Sequence, residues 1–272
     1  MSDDLTWHIE DILTALGGRT AVSAARRADT ASRTDAAESV SIRADEVFPA
    51  ASLAKVGIAV EVVRRASLGQ FALDERFDTS AEPRVGGGGL LDYLDPATRL
   101  TLRELCLLML AVSDNTAANF LLDLVGMGEV NETLSRLNLT HTRMARHFMD
   151  FAARRAGRDN TTSAQDMLAL LSLIRGDALP GARTVRELLL AQQVADEIKQ
   201  RLPPETPVAL KTGSLDASNT EGAVYHAAGF MQGLAGSAVF CVLTADQADP
   251  VAARAAAGRC VRLLWDAWCA GQ

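Results

Sequence analysis

The chain has 272 residues, a formal net charge of -7 and 48% apolar residues, enough to bury one large core or two interleaved ones. Its 34 acidic residues outnumber 27 basic ones and no Lys/Arg run exceeds a pair, which argues against nucleic acid and against an anionic membrane surface as partners. No apolar run approaches a membrane span, and the N-terminal MSDDLTWHIEDIL is acidic and amphipathic rather than a basic, apolar secretory leader. The expected location is therefore cytoplasmic if that N-terminus is native, and secreted or periplasmic if it is trimmed.

Residues 3–16 repeat apolar side chains at helical spacing (Leu5, Ile9, Ile12, Leu13, Leu16) and stop at Gly17-Gly18. Two β-like stretches, 20–25 and 39–43, read as a hairpin around a polar Ala/Thr/Asp turn. Pro49 breaks the chain before a helix from about Ser52 to Ser67 that is apolar nearly all round and so belongs in the interior. Residues 69–98 are rich in Asp, Pro and Gly and read as loop, with a short helix at 90–94. The Gly86 to Gly89 run follows no strand and lacks the GK[ST] ending of a phosphate loop. Helices follow at 101–112, with Thr101 and Glu104 as a capping box, then at 116–125 and 129–137. After a polar loop at 138–160, further helices run from Thr162 or Ser163 to Ile174 and over 184–193. The pattern then turns β-like at 208–211, 223–231 and 237–244, and a long helix at 251–270 closes the chain with Trp265 and Trp268 facing the first helix.

This order predicts an α+β fold: one antiparallel sheet built from both chain ends and an all-helical insertion between them. As domains, 1–272 forms a single unit, with a sheet subdomain from 1–48 plus 205–272 and a helical subdomain from 49–204. The cleft between them is the natural site. Cys106, Cys241, Cys260 and Cys269 form no CxxC pair and read as buried thiols, and the four histidines stand at no metal-ligand spacing, so neither a metal nor an organic cofactor is expected. A monomer is the expected state.

Only three of the 27 basic residues are lysines, Lys55, Lys199 and Lys211, and two of them fall in motifs. Ser52 and Lys55 are three apart on one helical face, so the amine can lie beside the hydroxyl. A buried lysine with a lowered pKa can act as base toward a serine, which arginine cannot, because it never deprotonates. Downstream stand Ser113-Asp114-Asn115 and Lys211-Thr212-Gly213-Ser214. An SxxK arises about once by chance in a chain this long, whereas SDN and KTG each arise on the order of a twentieth of a time. The ordered set therefore carries weight that its first member lacks.

With SxxK, SDN and KTG in this order, the chain resembles the penicillin-recognising serine hydrolases, and class A β-lactamases in particular. The resemblance runs from Phe48 to about Thr244 and implies an α/β sandwich with a five-stranded antiparallel sheet and a helical subdomain. It implies Ser52 as the acylated nucleophile and Lys55 as its base. Ser113 would pass a proton to the departing nitrogen, and Asn115 would hold Lys55 and the substrate amide. Lys211, Thr212 and Ser214 would bind a substrate carboxylate, and the N–H groups of Ser52 and Ser214 would form the oxyanion hole. The implied substrate is a small-molecule β-lactam, amide or ester, and the implied reaction is opening of a β-lactam amide through an acyl-enzyme. A D-alanyl carboxypeptidase, an esterase, or a penicillin-binding sensor without turnover are the alternatives. One departure bears on all of these: class A enzymes carry an ExxxN pair that holds the deacylating water, and here, aligned on Arg146, those positions are Phe148 and Ala152. Asp150 and His147 are the candidate substitutes on that loop. A disulfide of some relatives is missing as well, since its positions hold Ala59 and Cys106.

Overall fold

The computed structural model describes residues 2–27, 38–217 and 222–271. The turn expected between the first two strands lies outside these residues. Helix α1 (Ser2–Thr14) leads into β1 (Arg19–Arg27) and β2 (Ser39–Ile42), which pair antiparallel as the sequence predicts. After the two-residue strand β3 (Phe48–Pro49), a 3-10 turn (Ala51–Leu53) opens α2 (Ala54–Ser67). Strands β4 (Arg76–Asp78) and β5 (Arg99–Thr101) flank a 3-10 turn at Leu91–Tyr93. Helices α3 (Leu102–Ala111), α4 (Asn115–Val125), α5 (Met127–Arg136) and the short α6 (Phe151–Arg155) follow. Strand β6 (Thr161–Thr162) pairs with β3, and α7 (Ala164–Arg175), α8 (Ala182–Leu190) and α9 (Asp196–Lys199) complete the insertion. The chain ends in β7 (Val208–Leu215), β8 (Ala223–Gln232), β9 (Ser237–Gln247) and α10 (Pro250–Trp268).

The five long strands form one antiparallel sheet in the order β2-β1-β9-β8-β7, so both chain ends contribute and β7 lies at an edge. Both faces of the sheet are covered, which explains why β9 reads as a continuous apolar run rather than an alternating one. Val239, Cys241 and Leu243 pack with α2, α3, α4 and α7, while Phe240 and Val242 on the other face pack with α1 and α10. Trp265 and Trp268 join Leu5, Ile9 and Leu13 there, as expected. All four cysteines are buried and free. Ala195, Ile198 and Leu202 also enter this outer core, so the chain crosses to the sheet side before residue 204.

Helix α2 is the centre of the molecule: every residue from Ala54 to Val63 is buried. Glu61 survives there because Arg64, Arg65 and the Thr133 hydroxyl all donate to its carboxylate at 2.6–2.9 Å, satisfying a charge that would otherwise be costly to bury. The Thr101–Glu104 capping box forms as predicted and starts α3. The insertion is not wholly helical. The β4–β5 and β3–β6 ladders are two or three residues long, too short for a period-2 pattern to register in the sequence.

Candidate active site

Ser52 lies in the 3-10 turn and Lys55 in the first turn of α2, so the SxxK pair straddles a change of helix type. The preceding Ala51 has φ of +46°, a left-handed conformation costly for a residue with a Cβ. Three contacts hold the turn: Ala50 N–H donates to Asn160 O at 2.7 Å, Leu53 N–H to Ala50 O at 3.0 Å, and the His226 ring meets Pro49 O at 2.7 Å. Gly213 of β7 abuts it so closely that a Cβ there would sit 3.0 Å from Ser52 N. The turn and the edge strand thus stand side by side, with the N–H groups of Ser52 and Ser214 on adjoining backbones.

Lys55 is fully buried. Its Nζ lies 2.6 Å from Ser113 O and 2.7 Å from Asn115 Oδ1, two groups that only accept. It lies 3.2 Å from both Ser52 Oγ and Ser113 Oγ. A neutral amine has two protons and one lone pair, so once its protons serve the two carbonyl oxygens the lone pair is left for a hydroxyl. Burial is the main cause that pushes the Lys55 pKa well below the ordinary lysine value; the Lys211 charge pushes the same way, and Asp114 opposes. Lys211, also fully buried, donates to Ser113 Oγ at 3.0 Å and Thr212 O at 2.7 Å, and burial lowers its pKa to about 7. Ser113, at φ of +58°, therefore holds its hydroxyl between two lysines.

Asp114 makes this turn possible. Its carboxylate caps α4 through Ala117 N and accepts from Leu90 N and Leu91 N, all at 2.7–2.8 Å, while 1% exposed. Asn115 Nδ2 holds Gly86 O at 2.9 Å, so the motif also carries the glycine run across the cleft. That run needs glycine for room: a Cβ on Gly87 would collide with Met149, and one on Gly89 with Asp114. Asp114→Ala strands three backbone donors, two of them buried, and is expected to cost about 3 kcal/mol, read as a lower urea midpoint at unchanged slope.

The cleft beside Ser52 has a volume of about 510 Å³, within the range of small-molecule sites. Ser52, Ser113, Asn115, Thr212 and Ser214 all line it. Thr212 presents less than expected, since its Oγ1 already faces Val194 O at 2.8 Å and the Gln192 amide at 3.1 Å. Phe148 fills the wall next to Lys55, with Nζ 4.7 Å from the ring centroid, a cation–π distance for the charged amine. Asn119 fixes the backbone of this residue by pairing with both Phe148 N (2.8 Å) and Phe148 O (3.2 Å), and Asp159 anchors the loop by pairing with Arg146 and Arg154.

Neither loop substitute reaches the site. Asp150 is exposed and caps α6 through Ala153 N at 2.9 Å; His147 turns to Asp123, 2.7 Å away. Sequence reasoning missed Asn119, which shares a face with Asn115 at i, i+4 and could have been found on that ground. It also missed Arg254 of α10, which lines the cleft with its guanidinium 5.6 Å from the Tyr225 ring centroid and had no local signal. Among the described residues no cluster of His, Cys, Asp and Glu could hold a metal ion, and no helix is long and apolar enough to cross a membrane.

Comparison with known proteins agrees with this geometry. A model described as the β-lactamase enzyme family matches residues 5–268. The β-lactamase AST-1 of Nocardia asteroides is 33% identical over 198 residues, 71% of this chain; the chain spans 64% of that relative's length. An ancestral (GNCA) class A β-lactamase superposes with a TM-score of 0.83 at 26% identity, over 97% of this chain and 100% of the other. A PBP-A mutant, held as an acyl-enzyme complex with penicillin G, shares the fold with a TM-score of 0.81 at 23% identity, over 97% and 96%. With the motifs assembled in one cleft and the family model matched almost end to end, the chain belongs to the β-lactamase enzyme family and has the class A fold.

Proposed function

We propose that the protein is a serine hydrolase that opens β-lactam amides through an acyl-enzyme on Ser52 and releases the acyl group slowly. The observation that carries this reading is the lone pair left on Lys55 once Ser113 O and Asn115 Oδ1 have taken its protons. Ser52 Oγ gives its proton to that lone pair and attacks the carbonyl carbon. The oxyanion forms between the N–H groups of Ser52 and Ser214, a term worth about 3–4 kcal/mol per preorganised donor. The C–N bond breaks as Ser113 passes its proton to the leaving nitrogen, and Lys55, which holds the proton taken from Ser52 and lies 3.2 Å from Ser113 Oγ, resupplies it. Ser214 and Arg254 line the cleft where a substrate carboxylate would sit, with the charge of buried Lys211 behind Ser113, and the apolar wall of Phe148, Met149 and Phe151 faces the acyl side chain.

Phe148 favours a second reading of the same site. It puts an aromatic ring where water would need a base, and on this reading the chemistry that turns over is release from an ester or a D-alanyl peptide, whose leaving group departs and clears the cleft. A ring-opened β-lactam keeps its leaving group attached.

Intact-protein mass spectrometry after addition of a penicillin, beside Ser52→Ala, tests the slowly released acyl-enzyme on which both readings rest. A mass increase on the wild type alone that persists for many minutes is the expected result. An adduct that vanishes within seconds would give the protein a working deacylation base, and an equal adduct on Ser52→Ala would remove Ser52 from the mechanism.

A further inference from the structure

Gly213 creates a mechanical problem. The strand carrying Ser214 N–H must lie against the turn carrying Ser52 N–H, yet the residue at the point of contact has no side chain with which to grip it, and even a Cβ would press on Ser52 N. His226 of β8 is the register partner of Gly213, and cross-strand partners present their side chains on the same face. Its imidazole, fully buried, occupies that face and reaches the turn, with Nε2 at 2.7 Å from Pro49 O. Phe48 packs edge-on against the ring at 6.3 Å between centroids.

The tautomer follows from the partners. A proline carbonyl can only accept, so Nε2 carries the proton; Thr244 N–H points at Nδ1 at 3.3 Å, so Nδ1 receives. Tyr225 O also lies near Nδ1, at 2.9 Å, but it is served by the Thr244 hydroxyl at 2.8 Å, so the single ring proton goes to the shorter contact at Pro49 O. Burial holds the His226 pKa down to about 4, so the ring is neutral at physiological pH.

We infer that His226 is a positioning residue, not a catalytic one: its Nε2–H to Pro49 O bond ties the nucleophile turn to the sheet and sets the spacing of the two oxyanion N–H groups. This rests on Ser52 being the acylated nucleophile. The oxyanion exists only in the transition state, so the bond governs the rate of acylation and not the prior binding of substrate. A misplacement of the order of 1 Å at such a site costs about 10²-fold in rate.

The test measures the acylation rate constant and the initial dissociation constant separately by stopped flow with a chromogenic cephalosporin, and the affinity for phenylboronic acid, which forms a tetrahedral adduct on serine. His226→Leu is expected to lower the acylation rate and the boronic acid affinity by about 10²-fold each and leave the initial dissociation constant within about 2-fold. His226→Gln, whose amide nitrogen can reach Pro49 O, is expected to recover most of both losses. A folded His226→Leu with wild-type acylation overturns the inference, as does a His226→Gln no better than leucine. Nitrogen-15 NMR of the wild type adds a measurement that needs no variant: the Nε2–H tautomer is expected, and an Nδ1–H tautomer overturns the proposal. A wild type that reacts with neither the cephalosporin nor the boronic acid defeats the role of Ser52 itself, and with it this inference.

Discussion

Phe148→Glu is expected to shorten the acyl-enzyme lifetime by 10²- to 10⁴-fold, the range a positioned general base contributes. Asn119 grips the backbone of residue 148 and not its ring, so the loop is held whatever side chain stands there. Glutamate is also smaller than phenylalanine and leaves space for a water in a polar corner beside Asn115 and the Ser52 ester. Two costs come with it. The variant gives up the burial of an aromatic ring that is 7% exposed, and part of the about 3–5 kcal/mol seen for deleting such rings appears as a lower melting temperature. A carboxylate where the ring now lies 4.7 Å from Lys55 Nζ also favours the charged lysine, so acylation at neutral pH slows while deacylation quickens. Phe148→Gln controls for shape: it opens the same space without a base, and its adduct is expected to persist. Burst and steady-state rates with a chromogenic β-lactam measure both steps, and a glutamate variant whose adduct lasts as long as the wild type's would show that the ring is not what holds deacylation back.

How far the sequence reaches is clear from where its reading succeeds. Helical period places α1, α3, α4, α7 and α10, and β-like apolar stretches bounded by turn residues place all five long strands, because each is long enough for its pattern to show. The three motifs place Ser52, Lys55, Ser113 and Lys211, whose polar atoms then meet within 3.2 Å. What could not be read is set by tertiary contact. Ser52 sits in a 3-10 turn because Ala51 is held at positive φ, and nothing in an alanine announces that. Asp150 reads as a possible base because a carboxylate on a loop has no fixed direction in a sequence; in the fold it is used up in capping α6. Arg254 is distant in sequence from every motif and reaches the cleft only because α10 packs beside β8. His226 looks like any lone histidine until β8 sets it opposite Gly213.

Lys55→Arg is expected to cut acylation by 10³-fold or more although the charge is kept, since removing a general base forfeits about 10²–10⁴ and a bulkier guanidinium must also enter a fully buried space. Arginine has five donors and no lone pair, so it can hold Ser113 O and Asn115 Oδ1 and still not receive the Ser52 proton. The pH profile separates the two lysines. Acylation requires Lys55 neutral, so its efficiency rises with pH through the Lys55 pKa, below the ordinary lysine range because burial and the Lys211 charge both disfavour its proton. Carboxylate recognition requires Lys211 charged, and its pKa of about 7 means that charge is lost as pH rises through neutrality. The efficiency of acylation is therefore expected to fall above about pH 7, with the descending limb belonging to the free enzyme. A bound carboxylate favours the Lys211 proton, so the same limb moves to higher pH in the rate at saturating substrate. Lys211→Arg supplies the decisive comparison: arginine stays charged, so the descending limb disappears while the ascending one remains. An unchanged descending limb in that variant would mean that a group other than Lys211 carries the charge the substrate needs, and wild-type acylation in Lys55→Arg would mean that Lys55 is not the base.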